Sequence, residues 1–192
     1  GGILGEGAGL GNISVQSNFQ LEGGGKEPLS IGADGTIISL KYHDFTYPNI
    51  KFVADYYGDL ISAQLQTNEE QNKFDISVDM NMGKQKEMSI NALIDKLYLA
   101  PLFSLTNWET PYLVARIEGQ MTGSTMDDIA GKFVIDSTSL YDDKFMYNPG
   151  RISLEAAPSD SANNKKITFA SSFLDAEIIG NYHFSSIGSQ MM

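Results

Sequence analysis

Hydrophobic and polar residues alternate along most of this 192-residue chain. In the segment 174–184 the even positions are apolar apart from Gly180, and the odd positions are mostly polar. A period of two predicts a β-strand with one apolar and one polar face. Gly180 interrupts the apolar row, and a glycine inside a strand often marks a bend or bulge.

The same alternation recurs between turn signals such as Gly23-Gly24-Gly25, Gly58-Asp59 and Gly83-Lys84. Glycine and Asp-Gly-like pairs of this kind end strands and form hairpin turns. The pattern therefore predicts about eleven amphipathic strands. We place them near 12–21, 35–42, 50–56, 60–67, 74–82, 88–94, 112–122, 131–139, 144–156, 167–173 and 174–184.

The alternation breaks between residues 95 and 110, where apolar residues are dense and Trp108 is the chain's single tryptophan. Their spacing fits a helical face, so at most one short helix is expected near 95–105, and Pro101 would end or kink it. This break divides the chain into predicted units. They are a flexible glycine-rich segment 1–11, a first β repeat 12–94, a connection 95–110, a second β repeat 111–184 and a tail 185–192.

The two halves resemble each other at a spacing of roughly 100 residues. The strand 12–23 matches 112–123, Gly35 matches Gly131, and the segment 45–47 matches 145–147 with a proline shortly after each. Repeated β meanders form a sheet extended along one axis, in which each unit covers the edge of its neighbour. We therefore predict an all-β protein: one curved, mostly antiparallel sheet of two similar repeats, open as a groove.

Charge and composition argue against several classes of binding partner. The net charge is −11 and the pI is near 4.5, which argues against nucleic acid and against electrostatic docking on anionic lipid. The chain has no cysteine, so disulfides and thiolate metal sites are excluded. It starts at Gly1 without a signal peptide, and no run approaches the about 20 apolar residues that cross a bilayer. We expect it to be an excised piece of a longer protein.

Catalytic and metal-binding patterns are missing. The two histidines, His43 and His183, have no partner at metal-ligand spacing and are expected to be solvated strand residues. The acidic pairs at 127–128 and 142–143 lack the spaced ligands of a calcium loop and are expected to be turn residues. We predict a protein that is not an enzyme and has no cofactor.

The second half resembles TamB-like proteins of the translocation and assembly module, relatives of AsmA and of bridge-like lipid transfer proteins. The resemblance lies in Gly123 with the segment 127–131, in 135–137, and in the strand 173–184, and it covers 119–184 best. It implies a sheet curled like a taco with an apolar interior, in the periplasm. It also implies an inner-membrane-anchored parent protein in the cell envelope, and a role in lipid transport or outer-membrane protein assembly.

These observations favour a segment of an envelope bridge that holds or conducts lipid acyl chains and supports outer-membrane biogenesis. Alternatives are a chaperone-like module that offers sheet edges to outer-membrane protein strands, a closed structural spacer and, third, a polysaccharide-processing enzyme. Met80, Met82, Met88 and Met121 fit core packing and groove lining about equally well. The predicted groove-lining residues are Phe19, Leu21, Phe52, Tyr56, Phe74, Ile76, Val78, Met80, Ile117, Ile178, Tyr182 and Phe184.

Overall fold

The chain forms one open, antiparallel, all-β sheet of eleven strands. The computed structural model describes residues 10–25, 27–43, 45–84, 86–99, 110–123, 130–158 and 165–180. Each strand pairs with the next along the sequence, so the spatial order is the sequence order from β1 to β11. The predicted fold class is confirmed. No helix is present among the described residues.

Nine of the eleven strands are longer than the usual five or six residues of globular proteins, and β10 and β11 have six residues each. Their bounds are β1 Leu10–Gly24, β2 Glu27–Tyr42, β3 Phe45–Tyr57, β4 Leu60–Asn68, β5 Asn72–Asn81, β6 Glu87–Tyr98, β7 Tyr112–Thr122, β8 Ala130–Asp142, β9 Phe145–Pro158, β10 Lys165–Ala170 and β11 Asp175–Gly180.

The hairpin turns are tight where the sequence predicts them. Gly58 and Asp59 alone connect β3 to β4, and Gly58 has a φ of 59°, a left-handed conformation that glycine adopts without a steric penalty. Asp143 and Lys144 connect β8 to β9 in the same way. Short connections between successive strands produce the meander.

The two ends of the sheet differ in packing. We call the end with the β2–β3, β4–β5, β6–β7 and β8–β9 connections the closed end, and the opposite end, with the β1–β2, β3–β4 and β5–β6 turns, the open end. The buried hydrophobic residues of the described chain are few and lie mainly in the half of the sheet next to the closed end. They are Tyr47, Ile50, Ala92, Ile94, Leu99 and Ala115.

Irregularities of strand pairing concentrate in the same region. The register shifts at Lys73–Phe74, at Ile94–Leu97 and at Val114–Arg116, and the extra residues of these irregularities lie on β6 and β8. Such β-bulges bend a strand and increase its twist. We infer that these bends allow the closed end to fold over its own side chains, whereas the rest of the sheet stays single-layered.

The chain as a whole exposes far more surface than a compact globule. Its accessible surface is 13057 Å², whereas a compact 21.0 kDa protein exposes about 9,000 Å². A single sheet layer without a covering element has this property, because only one side of each apolar residue is packed. The hydrophobic strand surface is therefore not enclosed in a central core.

The structure also shows that the matched glycines of the two halves have the same steric surroundings. A Cβ on Gly35 of β2 would overlap the backbone of Gln16 in β1, and a Cβ on Gly131 of β8 would overlap the backbone of Gln120 in β7. In each half, the second strand thus approaches the first too closely for a side chain. This agrees with the internal repeat that the sequence suggests.

Some predicted boundaries differ from the observed ones. β6 continues to Tyr98, past the predicted repeat end at 94, so residues 95–98 are strand and not helix; residues 100–109 lie outside the described part. The bulge between Ile94 and Leu97 shifts the alternation, which gives the apolar residues a helical spacing. Leu10 and Gly11, predicted to be flexible, belong to β1, and β11 starts at Asp175.

Candidate functional site

The strand register collects the alternating apolar residues into continuous rows. Directly opposite residues of an antiparallel pair lie on the same face of the sheet. The row through Val78 contains Phe19, Ala33, Ala54, Ala63, Val78, Ile90, Gly119, Phe133, Leu154, Phe169 and Ala176. Every strand contributes one residue, and none of them is polar.

Two parallel rows flank it on the same face. The row toward the open end contains Leu21, Ile31, Tyr56, Ile61, Met80, Met88, Met121, Gly131, Ala156, Ile167 and Ile178. The row toward the closed end contains Gly35, Phe52, Leu65, Ile76, Ala92, Ile117, Ile135 and Ile152. We call these three rows, together with Phe74 in the following row, the apolar face.

The opposite face of the same strands is polar. Its row between Val78 and Met80 contains Gln20, Gly32, Asp55, Ser62, Asp79, Ser89, Gln120, Lys132, Glu155, Thr168 and Glu177. Cross-strand contacts connect some of these groups, including the ion pair of Lys132 with Glu155 at 3.2 Å. The sheet therefore separates a charged surface from an uncharged apolar one.

The structure places all the described members of the predicted groove-lining set on the apolar face. They are Phe19, Leu21, Phe52, Tyr56, Phe74, Ile76, Val78, Met80, Ile117 and Ile178. The other two, Tyr182 and Phe184, lie outside the described residues. The residues thus form one surface, and its use in binding lipid stays a prediction.

None of these ten side chains is fully buried. Exposure is greatest on the edge strands, where Phe19 is 74% exposed, Leu21 72% and Ile178 56%. Central residues such as Ile76 and Val78 are partly exposed. Contiguous apolar surfaces of this extent are rare on monomeric soluble proteins and commonly mark binding sites.

The concavities of the described sheet do not all lie on the apolar face, where the sequence predicts a groove. A concavity of about 730 Å³ near the open end is lined by polar-face residues such as Asp55, Asp79 and Gln120, and also by Ile61, Met80, Met88 and Met121 of the apolar face. A smaller concavity of about 190 Å³ is lined by four methionines together with neighbouring residues that include Lys86 and Glu87. The apolar face of the described sheet is therefore a broad shelf with a small depression.

The closed end contains buried polar groups that the sequence did not reveal. Asn72 is almost completely buried, and its Oδ1 accepts a hydrogen bond from the Tyr98 N–H at 3.1 Å. Burial, together with the neighbouring hydroxyls of Tyr42 and Tyr98, raises the pKa of Tyr47 to about 12. These groups connect strands at the packed end, and nothing in their arrangement indicates a reaction centre.

The sequence predicts that the acidic pairs 127–128 and 142–143 are solvated turn residues, and the structure describes only the second pair. Asp142, expected to be a solvated turn residue, is buried, and its Oδ1 accepts a hydrogen bond from the Thr110 N–H at 2.8 Å. Asp143 accepts one from the Thr110 hydroxyl at 2.5 Å. The pair therefore anchors the chain before β7. Residues 127 and 128 lie outside the described residues.

The remaining chemistry-bearing groups are dispersed. His43 is exposed in the β2–β3 turn, where its ring packs edge-on against Tyr42; His183 lies outside the described residues. Within the described ranges, histidine and the acidic residues form no group of three that could hold a metal ion. The same part of the chain contains no helix long and apolar enough to cross a membrane.

Comparison of the chain with protein-family models, with curated proteins and with solved structures found no match. The resemblance to TamB-like proteins therefore stays a hypothesis based on the quoted motifs. The functional argument depends on the geometry and chemistry of the apolar face.

Proposed function

We propose that this sheet is a non-enzymatic segment of a cell-envelope bridge protein, and that its apolar face holds or conducts lipid acyl chains. In this proposal the segment lies in the periplasm, its parent protein is anchored in the inner membrane, and it serves outer-membrane biogenesis. The observation that carries the proposal is the set of two apolar rows that cross all eleven strands and a third that crosses β2 to β9, most of whose side chains remain partly exposed.

The rows run across the strands, at right angles to the chain direction. Neighbouring strands are about 4.8 Å apart, so an alkyl chain lying along a row meets an apolar side chain at each such step. Since the row through Val78 contains no polar side chain, successive positions offer similar contacts. Similar contacts at regular spacing favour sliding of the alkyl chain over tight fixation at one position.

The expected affinity is moderate. Full burial of one CH₂ group contributes about 0.8 kcal/mol, and an open shelf covers roughly half of the alkyl surface, which leaves about 0.4 kcal/mol per CH₂. A sixteen-carbon chain would then gain about 6 kcal/mol, equivalent to a Kd of tens of micromolar at best. Such binding is strong enough to retain lipid during purification in part, and weak enough to permit exchange.

The test places one carboxylate on either face of the same strand. Val78→Asp introduces a charge in the middle of the apolar face, and Ser77→Asp introduces the same charge on the polar face next to it. We expect V78D to lose at least tenfold in affinity for a fluorescent fatty acid and to lose co-purified lipid in native mass spectrometry. S77D should match the parent chain.

Equal lipid binding by both variants, with circular dichroism showing intact β structure, would contradict the proposal. Ile178→Asp is a second probe at the far edge of the sheet, where a side chain that is 56% exposed tolerates substitution without loss of the fold. A loss in V78D that I178D does not share would restrict binding to the centre of the sheet.

One observation favours a second function, a chaperone-like interaction with outer-membrane protein strands. Within the described sheet β1 is an edge strand of 15 residues, and it has no charged residue or proline between Leu10 and Gln20. Such an edge lacks the usual protection against pairing with another strand. Crosslinking from Asn18→Cys in this cysteine-free chain to barrel-strand peptides, in preference to phospholipid, would support this function.

A further inference from the structure

Four of the chain's eight methionines lie at one corner of the apolar face. Met80 of β5 pairs directly with Met88 of β6, and Met88 pairs directly with Met121 of β7. Met82 follows β5 and lines the same depression of about 190 Å³. We call Met80, Met82, Met88 and Met121 the methionine corner. Three of them are consecutive members of one row: Met80 and Met88 face each other across the β5–β6 hairpin, and Met121 joins them from β7.

The donor chemistry of this corner is distinctive. A thioether sulfur is a soft, neutral ligand, and soft sulfur ligands select Cu(I) over Mg²⁺ or Ca²⁺. The chain contains no cysteine, so no thiolate competes with the thioethers for such an ion. Its net charge of −11 favours the approach of a cation.

The geometry permits convergence of the sulfurs. Met88 occupies the middle strand, with Met80 and Met121 about 4.8 Å away on either side. Methionine has three rotatable bonds, so the two outer sulfurs can incline toward the middle one without backbone movement. Met82 is 47% exposed and stands at the entrance of the depression. Among the described residues that line the depression, Lys86 is positively charged and Glu87 is negatively charged.

We propose that Met80, Met88 and Met121, with Met82 at the entrance, form a binding site for Cu(I) at the open end of the apolar face. The proposal is independent of lipid binding. Replacement of these methionines by leucine distinguishes a metal site from ordinary apolar packing, because leucine fills the space of methionine but supplies no sulfur lone pair.

The experiment titrates the chain with Cu(I) under anaerobic conditions in competition with a chromophoric Cu(I) chelator. Ag(I) serves as a redox-inert substitute, and NMR of methionines labelled with ¹³C in the methyl group reports which sulfurs respond. We expect one equivalent of metal and shifted methyl signals for Met80, Met88 and Met121. Met88→Leu should weaken binding at least tenfold, and the triple leucine variant should abolish it.

The matched control is Met146→Leu, which removes a 59% exposed methionine of β9 near the closed end and should leave the affinity unchanged. Thioethers carry no proton in the accessible pH range, so the affinity should be constant between pH 5 and 8. A site made of histidine imidazoles would instead weaken as the pH falls, because a proton competes with the metal ion for the ring nitrogen.

Unchanged metal affinity in the triple leucine variant would overturn the proposal, as would loss of binding on replacement of the histidines with the methionines intact. Ile178→Asp alters the proposed lipid-binding face on β11 and keeps all four methionines, so it should retain the Cu(I) affinity of the parent chain even where its fatty-acid affinity falls. Failure of the metal site and failure of lipid binding are thus observed in separate measurements on one protein.

Discussion

The closed and open ends of this sheet are built from the same strands but are packed differently. At the closed end, Ile94 is 5% exposed and Ala115 is 2% exposed, and bulges bend β5 to β8 around them. At the open end, Leu21 is 72% exposed and Met82 is 47% exposed. The difference shows that the chain concentrates its small core at one end and leaves the remaining apolar rows uncovered.

This separation has a functional meaning under the lipid-binding proposal. A sheet that holds its shape through a packed end does not need to bury the apolar face elsewhere, so that surface remains accessible to a ligand. The comparison predicts that stability depends on the closed end and that ligand binding depends on the open rows.

The largest expected effect is on the free energy of unfolding at the closed end. Ile94→Ala removes a buried side chain and leaves a cavity, which should cost about 2–4 kcal/mol. The matched Ile178→Ala removes a mostly exposed side chain and should cost less than about 0.5 kcal/mol. Urea unfolding followed by circular dichroism measures both. Similar losses of unfolding free energy in both variants would show that the closed end does not stabilise the sheet more than the exposed edge does.

The next effect concerns the close approach of strands in the two halves. Gly131→Ala and Gly35→Ala each force a Cβ against the backbone of the preceding strand, and each should cost about 1–3 kcal/mol. Gly32→Ala is the control, because its Cβ would meet only the movable Asp55 carboxylate at 3.3 Å. A large loss of stability for Gly35→Ala without a loss for Gly131→Ala would show that the strands of the two halves do not approach each other equally closely.

A pH-dependent effect identifies the closed end directly. Below pH 10, Tyr47 is protonated in both the folded and unfolded chain. Between pH 10 and about 12 the unfolded chain ionises this tyrosine while the fold keeps it protonated, so stability falls as the pH rises, by up to about 2 kcal/mol. The difference between the parent chain and Tyr47→Phe isolates this contribution from the other tyrosines and the lysines.

Tyr47→Phe should also be tolerated at pH 8, because the buried Tyr47 hydroxyl has no hydrogen-bond partner among the described residues. Parallel curves of stability against pH for the two proteins above pH 10 would refute the assignment of a raised pKa to Tyr47.

The smallest expected effects lie on the polar face. The Lys132–Glu155 ion pair joins β8 to β9, with both side chains about half exposed, and Glu155→Gln should cost at most about 0.5 kcal/mol. The Lys73–Asp95 pair near the closed end is similarly exposed, so Asp95→Asn should behave alike. A large loss of unfolding free energy for Asp95→Asn alone, measured by urea unfolding at low salt, would show that the ion pair on the polar surface also stabilises the closed end.

The period-two pattern was sufficient to predict the fold class and the members of the apolar face. Residues such as Val78 and Ile117 fall on one side because alternation fixes the face of each strand residue, whatever its partner is. The turn at Gly58-Asp59 was also predictable, since its residues match the backbone conformation of a hairpin turn.

Other features depend on register and could not be derived from local pattern. The Gly83-Lys84 turn brings Met80 next to Met88, but Met121 meets them only because β7 pairs with β6 at a particular offset, and no short-range signal sets that offset. The bulge after Ile94 turned a strand end into an apparent helical face, and the burial of Asp142 follows from its contact with Thr110, 32 residues away.

The strictly sequential strand order also affects how the protein is made. Each strand of the described sheet needs only the one before it as a template, so pairing can advance from the amino terminus while later residues are still being synthesised. Growth by addition at a free edge imposes no intrinsic limit on length. Insertion or deletion of a whole hairpin would change the reach of such a sheet without altering the pairing on either side.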